Sequence, residues 1–269
     1  MLHTEKNPGE MRDSSIFNST RQSRVEMTGR GFPAPVVYAD LSFDAFIFEC
    51  DRQVAENFLP SRHYPLIRLP FGKCLTALFC FEYRRTDIGP YNEMALCIPL
   101  AGHGEHILPD WLFSILDLHL RTVHAHVVHL PVNTERALKD GLNFFGSPKF
   151  LAGIHFENKN KRHSCELRQA NEEFLSLRIS RGRRRGIQSG RQEMTFCAYP
   201  EKSGQTLRTT FQLQCDDMHI DFLPRHVILE TGDGEMAEAA SLLLKTPLLS
   251  VYSNRARGIL HKPQVIPAA

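Results

Sequence analysis

The strongest constraint on this chain is a recurrence. Short runs dense in β-branched and aromatic residues, each closed by Gly, Pro, Asn or Asp, follow one another from residue 42 onward. Such runs are strand signals, and their close spacing excludes a mainly helical fold. Residues 42–50, 66–69, 74–83, 94–100 and 124–132 carry the pattern in the first half. Residues 164–169, 174–180, 194–199, 207–214, 219–223 and 227–230 alternate with polar turns, the spacing of an antiparallel meander, and 248–252 and 258–260 are candidate closing strands. Residues 74–83 (CLTALFCFEY) are too apolar for a wet face and belong at the centre of a covered sheet. Three short helices fit between the strands: 52–59 capped by Asp51, 135–140 capped by Asn133 or Thr134 and ended by Gly141, and 234–245 ended by Pro247. Helical and extended readings both fit residues 110–119. Many strands and few helices predict a mainly β (α+β) fold, an antiparallel closed or nearly closed β-barrel with a few peripheral helices.

The chain has 269 residues, enough to bury a sizeable core. Residues 1–31 are polar and read as a flexible N-terminal arm; residues 32–266 read as a single barrel domain. The net charge of +2 gives no bulk argument for nucleic acid or a membrane surface as partner. No apolar run approaches the roughly 20 residues that span a bilayer, and the N-terminus has no apolar signal-like region. The seven cysteines lie mostly inside strand-like runs with no CxxC pair, so they read as reduced core thiols of a cytoplasmic protein.

One lysine stands out against this background. In residues 141–156, GLNFFGSPKFLAGIHF, Lys149 follows a Gly/Pro turn and opens an apolar, strand-like run. A lysine held there is short of water, and desolvation disfavours its ammonium form. A neutral amine can attack a ketone and form a Schiff base. The plain alternative is a strand-start lysine with its head in solvent, where most lysines sit. His124, His126 and His129 form a second cluster, H-x-H-x-x-H; on a regular strand the first two share one face and His129 takes the other. Without a clear carboxylate partner they make a weak metal motif, and His129 is instead a candidate pocket residue. The only basic run, residues 181–185, reads as a solvated hairpin tip or, less simply, a phosphate contact.

A further motif gives Lys149 its context. Residues 86–93, TDIGPYNE, form a Gly-Pro turn that leads through Glu93 into the apolar strand 94–100. Together with the Pro-Lys segment, this turn resembles the acetoacetate decarboxylase family, most clearly between residues 36 and 156. The resemblance implies a barrel with the lysine inside, Lys149 as the Schiff-base nucleophile, Glu93 as an active-site carboxylate, no metal or organic cofactor, and a homo-oligomer acting on a small keto acid or ketone.

The chain also departs from the family. The lysine that usually follows the nucleophile is replaced by Phe150, which removes a like-charge influence and leaves burial alone to act on Lys149. An ungapped count puts the family's pocket arginine and second glutamate on Leu41 and Leu78. With Phe79, Tyr91, His129, Phe145 and Phe150 as further substrate-binding candidates, the expected pocket suits a larger or more apolar substrate than acetoacetate. The sequence therefore supports a decarboxylase-like carbon–carbon lyase acting on a β-keto acid or ketone. An aldolase, dehydratase or cyclase of secondary metabolism on the same barrel, and a non-enzymatic carrier of apolar ligands, are the other readings.

Overall fold

The computed structural model describes residues 23–27, 30–60, 65–101, 122–159, 162–169, 174–182 and 187–266, with side chains from residue 33. Seven strands form its frame: β1 (Val36–Asp51), β2 (Lys73–Thr86), β3 (Tyr91–Leu100), β4 (Thr122–Val132), β5 (Gln192–Ala198), β6 (Gln205–Cys215) and β7 (Thr246–Leu260). Each pairs with the next, and β7 pairs with both β6 and β1, so the sheet closes into a barrel. All these pairings are antiparallel except that of β4 with β5, which is parallel.

Chain segments between β4 and β5 and between β6 and β7 build a second layer. Strands Gly153–Lys159, Arg162–Gln169, Phe174–Gly182 and Ile228–Thr231 form an antiparallel sheet. With helix Glu235–Leu243 it covers the outside of the barrel. One apolar core therefore fills the barrel, around Phe43, Phe79, Phe81 and Phe145. A second lies between barrel wall and outer layer, where Phe46, Leu78, Met94 and Leu96 meet Ile154, Leu167, Ile179 and Met236. Strand β2 serves both, which is why residues 76–81 are all buried. A wall wetted on neither face reads as a continuous apolar run.

Three α-helices lie among the described residues: α1 (Arg52–Glu56), α2 (Glu135–Asp140) and α3 (Glu235–Leu243). Helix α1 is shorter than expected, and Asp51 gives it no side-chain cap; that carboxylate pairs instead with Lys73 at 2.7 Å. Helix α2 is capped as predicted, the Thr134 hydroxyl accepting from the Ala137 N–H at 3.3 Å. Gly141 does not end it. The chain continues through a π-type turn, Gly141–Phe145, and stops at Gly146, whose φ of 64° lies in the left-handed region that favours glycine.

Of the arm expected over residues 1–31, Ser23–Met27 pairs with Arg30–Ala34 in a hairpin, and the remainder lies outside the described residues. So do residues 110–119 and, in the basic run, 183–185. Arg181 is not a solvated tip. It is buried, pairs with Asp44 and lies 3.7 Å from the centre of the Tyr252 ring. None of the described helices is long and apolar enough to cross a membrane.

Candidate active site

The 86–93 turn is built largely by its own side chains. The Thr86 hydroxyl accepts from the Ile88 N–H and donates to the Gly89 carbonyl, and the Asp87 carboxylate accepts from the Val37 N–H at 2.8 Å. Asn92 ties three segments together. Its N–H donates to the Asn133 side chain at 2.7 Å, and its side-chain amide donates to the Ile154 carbonyl at 2.9 Å. That clamp fixes β3 against β4 and against the strand that follows the lysine. Glu93, the next residue, points the other way, into the barrel.

Lys149 arrives from a different direction. The strand Lys149–Leu151 pairs in parallel with β4, Leu130 opposite Lys149. The Ser147 N–H donates to the Gly141 carbonyl at 3.1 Å, and the Leu130 N–H donates to the Pro148 carbonyl at 3.2 Å. The lysine stem lies directly on Gly141: a Cβ on that residue would sit 2.2 Å from Lys149 Cδ. The π-turn and its first glycine thus shape the bed in which the stem rests.

The two side chains meet inside the barrel. Lys149 Nζ donates to Glu93 Oε2 at 2.7 Å, and both side chains are 10% exposed. Tyr83 donates to Glu93 Oε1 at 3.2 Å, and the Tyr38 and Tyr91 hydroxyls are 3.1 Å apart. Lys149 Nζ also lies 5.5 Å from the centre of the Tyr91 ring, within cation–π range. Burial first, and the Glu93 charge beside them, push all three tyrosines well above their usual range; in Tyr91 the neighbouring Tyr38 adds to burial ahead of Glu93. The hydroxyls are therefore neutral across the physiological range. Burial also raises the Asp140 carboxyl, against the pull of Arg136 and Lys149.

Above the pair is a cavity of about 140 Å³. Its wall is mostly apolar and rich in aromatic rings: Phe79, Phe81 and Tyr83 stack along β2, with Phe196, Phe211 and Phe145 around them. Among the described lining residues, Lys149 and Glu93 are the charged ones. A cavity of this size accepts a molecule about as large as one six-membered ring.

Of the predicted site residues, the fold brings Lys149, Glu93, Phe79, Tyr91 and Phe145 to this cavity. Leu41, Leu78, His129 and Phe150 are not among its lining residues. Leu78 and Phe150 alternate with the inward-facing Phe79 and Lys149, so they point outward into the second core. Leu41 is fully buried within the barrel core, opposite Tyr83, without lining the cavity. His129 is displaced by a bulge in β4, where Leu96 pairs with His129 but the next residue, Cys97, pairs with Val127. The extra residue reverses the alternation. His129 therefore lies outside the barrel, 6.1 Å from the Phe150 ring, and burial there lowers its pKa. His124 bonds the Tyr199 hydroxyl at 2.6 Å. Among the described residues no three or more His, Cys, Asp or Glu side chains are grouped as a metal site. Sequence reasoning missed Tyr38 and Tyr83, which look like ordinary core aromatics, and the role of Gly141.

Comparison with known proteins follows the same line. The family model described as acetoacetate decarboxylase matches residues 28–266. The acetoacetate decarboxylase of Legionella pneumophila subsp. pneumophila str. Philadelphia 1 is 14% identical, with 88% of this chain and 91% of that one covered at a TM-score of 0.62. The enduracididine biosynthesis enzyme MppR, complexed with the condensation product of pyruvate and imidazole 4-carboxaldehyde, is also 14% identical, covering 87% and 90% at 0.57. An acetoacetate decarboxylase-like enzyme from Sphingomonas wittichii RW1 covers 88% and 94% at 14% identity and a TM-score of 0.52. No curated protein matches the chain.

Proposed function

Because the chain belongs to the acetoacetate decarboxylase family, we propose that it is a Schiff-base carbon–carbon lyase acting on a ketone or β-keto acid through Lys149. The observation that carries this reading is the buried contact of Lys149 with Glu93, 2.7 Å apart at the floor of an apolar cavity. A proton passed from Nζ to Glu93 leaves a neutral amine facing the cavity. The amine attacks the substrate carbonyl carbon. Glu93 returns the proton to the carbinolamine oxygen, which leaves as water and gives a protonated imine.

The protonated imine is an electron sink. When the bond from the α-carbon to a carboxylate breaks, its electron pair moves into the imine and CO2 departs, leaving an enamine. Glu93, having taken up a proton from solvent, protonates the enamine carbon, and attack of water on the imine releases the ketone and restores the lysine. Tyr83 holds Glu93 by its other oxygen, which keeps one carboxylate oxygen aimed at the reacting nitrogen. A second reading uses the same enamine as the nucleophile or leaving fragment of an aldol reaction. The aromatic wall favours it, because a substrate carboxylate finds no ammonium or guanidinium among the described lining residues except Lys149 itself.

Lys149→Gln tests the proposal, since glutamine retains a donor for Glu93 while losing the nucleophile. The variant is expected to stay folded, to form no reducible adduct with any ketone and to release no CO2 from β-keto acids. Turnover that survives the substitution would remove the lysine from the chemistry.

A further inference from the structure

The polar groups that face the cavity beyond the reacting pair are neutral. The Tyr38 and Tyr91 hydroxyls, 3.1 Å apart and fully buried, bond each other and share donor and acceptor capacity for one more oxygen. They sit on the same side as the lysine, whose Nζ is 5.5 Å from the Tyr91 ring centre. A ketone whose carbonyl carbon reaches Nζ would carry its next functional group toward this hydroxyl pair. Resting on the Schiff-base reading above, we infer that the substrate is an uncharged ketone with a second neutral oxygen, a β-hydroxy ketone or 1,3-diketone, and that Tyr38 and Tyr91 form the subsite for that oxygen.

Two independent features support the inference. The first is the wall itself. Phe79, Phe81, Phe196 and Phe211 offer a carboxylate nothing to replace its lost hydration. The second is the response of the groups already there. Tyr38, Tyr83 and Tyr91, and the Cys97 thiol on β3, are all raised by burial, and Glu93 adds to the rise in every one. Burial that opposes ionisation of four lining groups also disfavours a bound carboxylate.

A β-hydroxy ketone needs no co-reactant; a 1,3-diketone takes up one water at its second carbonyl, which leaves as a carboxylic acid. With a β-hydroxy ketone bound as its protonated imine, Glu93 takes the hydroxyl proton and the bond between α- and β-carbons breaks. The β-carbon leaves as an aldehyde carbonyl, and the electron pair passes to the imine as an enamine. Protonation of the α-carbon by Glu93 and hydrolysis then release a ketone. Atoms and electrons balance: one β-hydroxy ketone gives one ketone and one aldehyde.

The test compares acetylacetone with acetoacetate, which have the same number of non-hydrogen atoms and differ in charge, and 2-pentanone, which lacks the second oxygen. Adducts are located by peptide mass spectrometry, with borohydride reduction where the imine is labile. Each rate is divided by that of free lysine under the same conditions. Acetylacetone is expected to label Lys149 at least about tenfold faster than acetoacetate on this scale. In Tyr38→Phe and Tyr91→Phe, which keep the rings, the acetylacetone to 2-pentanone ratio is expected to fall about three- to tenfold, the loss of one hydrogen bond. Acetoacetate labelling as fast as acetylacetone, or a ratio unchanged in both variants, overturns the inference and leaves the Schiff-base reading standing. Failure of all three ketones to label Lys149 removes both.

Discussion

Replacing Gly141 by alanine tests how the lysine is held. A Cβ there would lie 2.2 Å from Lys149 Cδ, 2.7 Å from Cε and 3.0 Å from Cγ. An ordinary carbon contact is about 3.5 Å, so the stem must withdraw by about 1.3 Å. The backbone itself accepts alanine: φ is −63° and ψ −48°, ordinary helical values. Relief of glycine's chain entropy contributes about 0.5–1 kcal/mol, while overpacking costs about 1–3 kcal/mol. The net loss is thus at most about 2.5 kcal/mol, a fall in Tm of no more than about 10 °C for a chain of this size. Under the proposed Schiff-base chemistry the lysine nitrogen fares worse, because a displacement of about 1 Å at a reacting group costs about 100-fold in rate. The assay pairs a thermal melt with the rate of ketone adduct formation on Lys149. A folded Gly141→Ala protein that forms the adduct at the wild-type rate would refute the claim that this glycine positions the lysine.

Other predictions concern the same two layers and the outer network. Glu93→Gln is expected to slow adduct formation by about 100- to 10,000-fold while the fold persists, since it removes the proton acceptor but keeps a side chain of the same shape. Leu78→Ala is expected to cost about 2–5 kcal/mol in a urea melt yet leave the adduct rate within about twofold, because that side chain packs outside the barrel. In Asp44, burial pushes the carboxyl up, but the hydrogen bond from His163 and the Arg181 guanidinium outweigh it and hold the group below its usual range. A folded-state value below the unfolded one gives stability that is full above the ordinary carboxylate range and is lost as pH falls toward the depressed value. Melts of wild type and Asp44→Asn between about pH 3 and 7 are expected to differ in slope at the acid end, the variant being the flatter. All seven cysteines are free and buried, so Ellman's reagent is expected to stay nearly silent on the native protein and to titrate seven thiols after denaturation.

The parts of the site legible in the sequence were those marked by backbone chemistry. Gly146, Pro148 and the 86–93 turn announce themselves by residue type, and Lys149 and Glu93 stand beside them. What the sequence hid was which way a strand residue faces. Period-two alternation is visible only when one face is wet, and β2 is buried on both, so nothing in CLTALFCFEY separates the inward Phe79 from the outward Leu78. The bulge in β4 compounded this for His129, since one extra residue turns the count over. Gly141 illustrates a third limit. After helix α2 a glycine reads as a stop signal, and its actual importance, room for a lysine stem from a later strand, depends on a long-range contact that no local pattern carries. The barrel was legible for a coarser reason. Strand-rich composition with few helices leaves closure as the main way to avoid exposed edges, though the parallel pairings of β4, with β5 and with Lys149–Leu151, were not foreseen.

The most direct test of the central claim is borohydride trapping on the full chain. The protein is incubated with acetylacetone, 2-pentanone and a set of β-keto acids, reduced, digested and mapped by mass spectrometry. The account predicts a single adduct, on Lys149, lost in Lys149→Gln. A folded protein that carries no adduct, or one on another lysine, would contradict it.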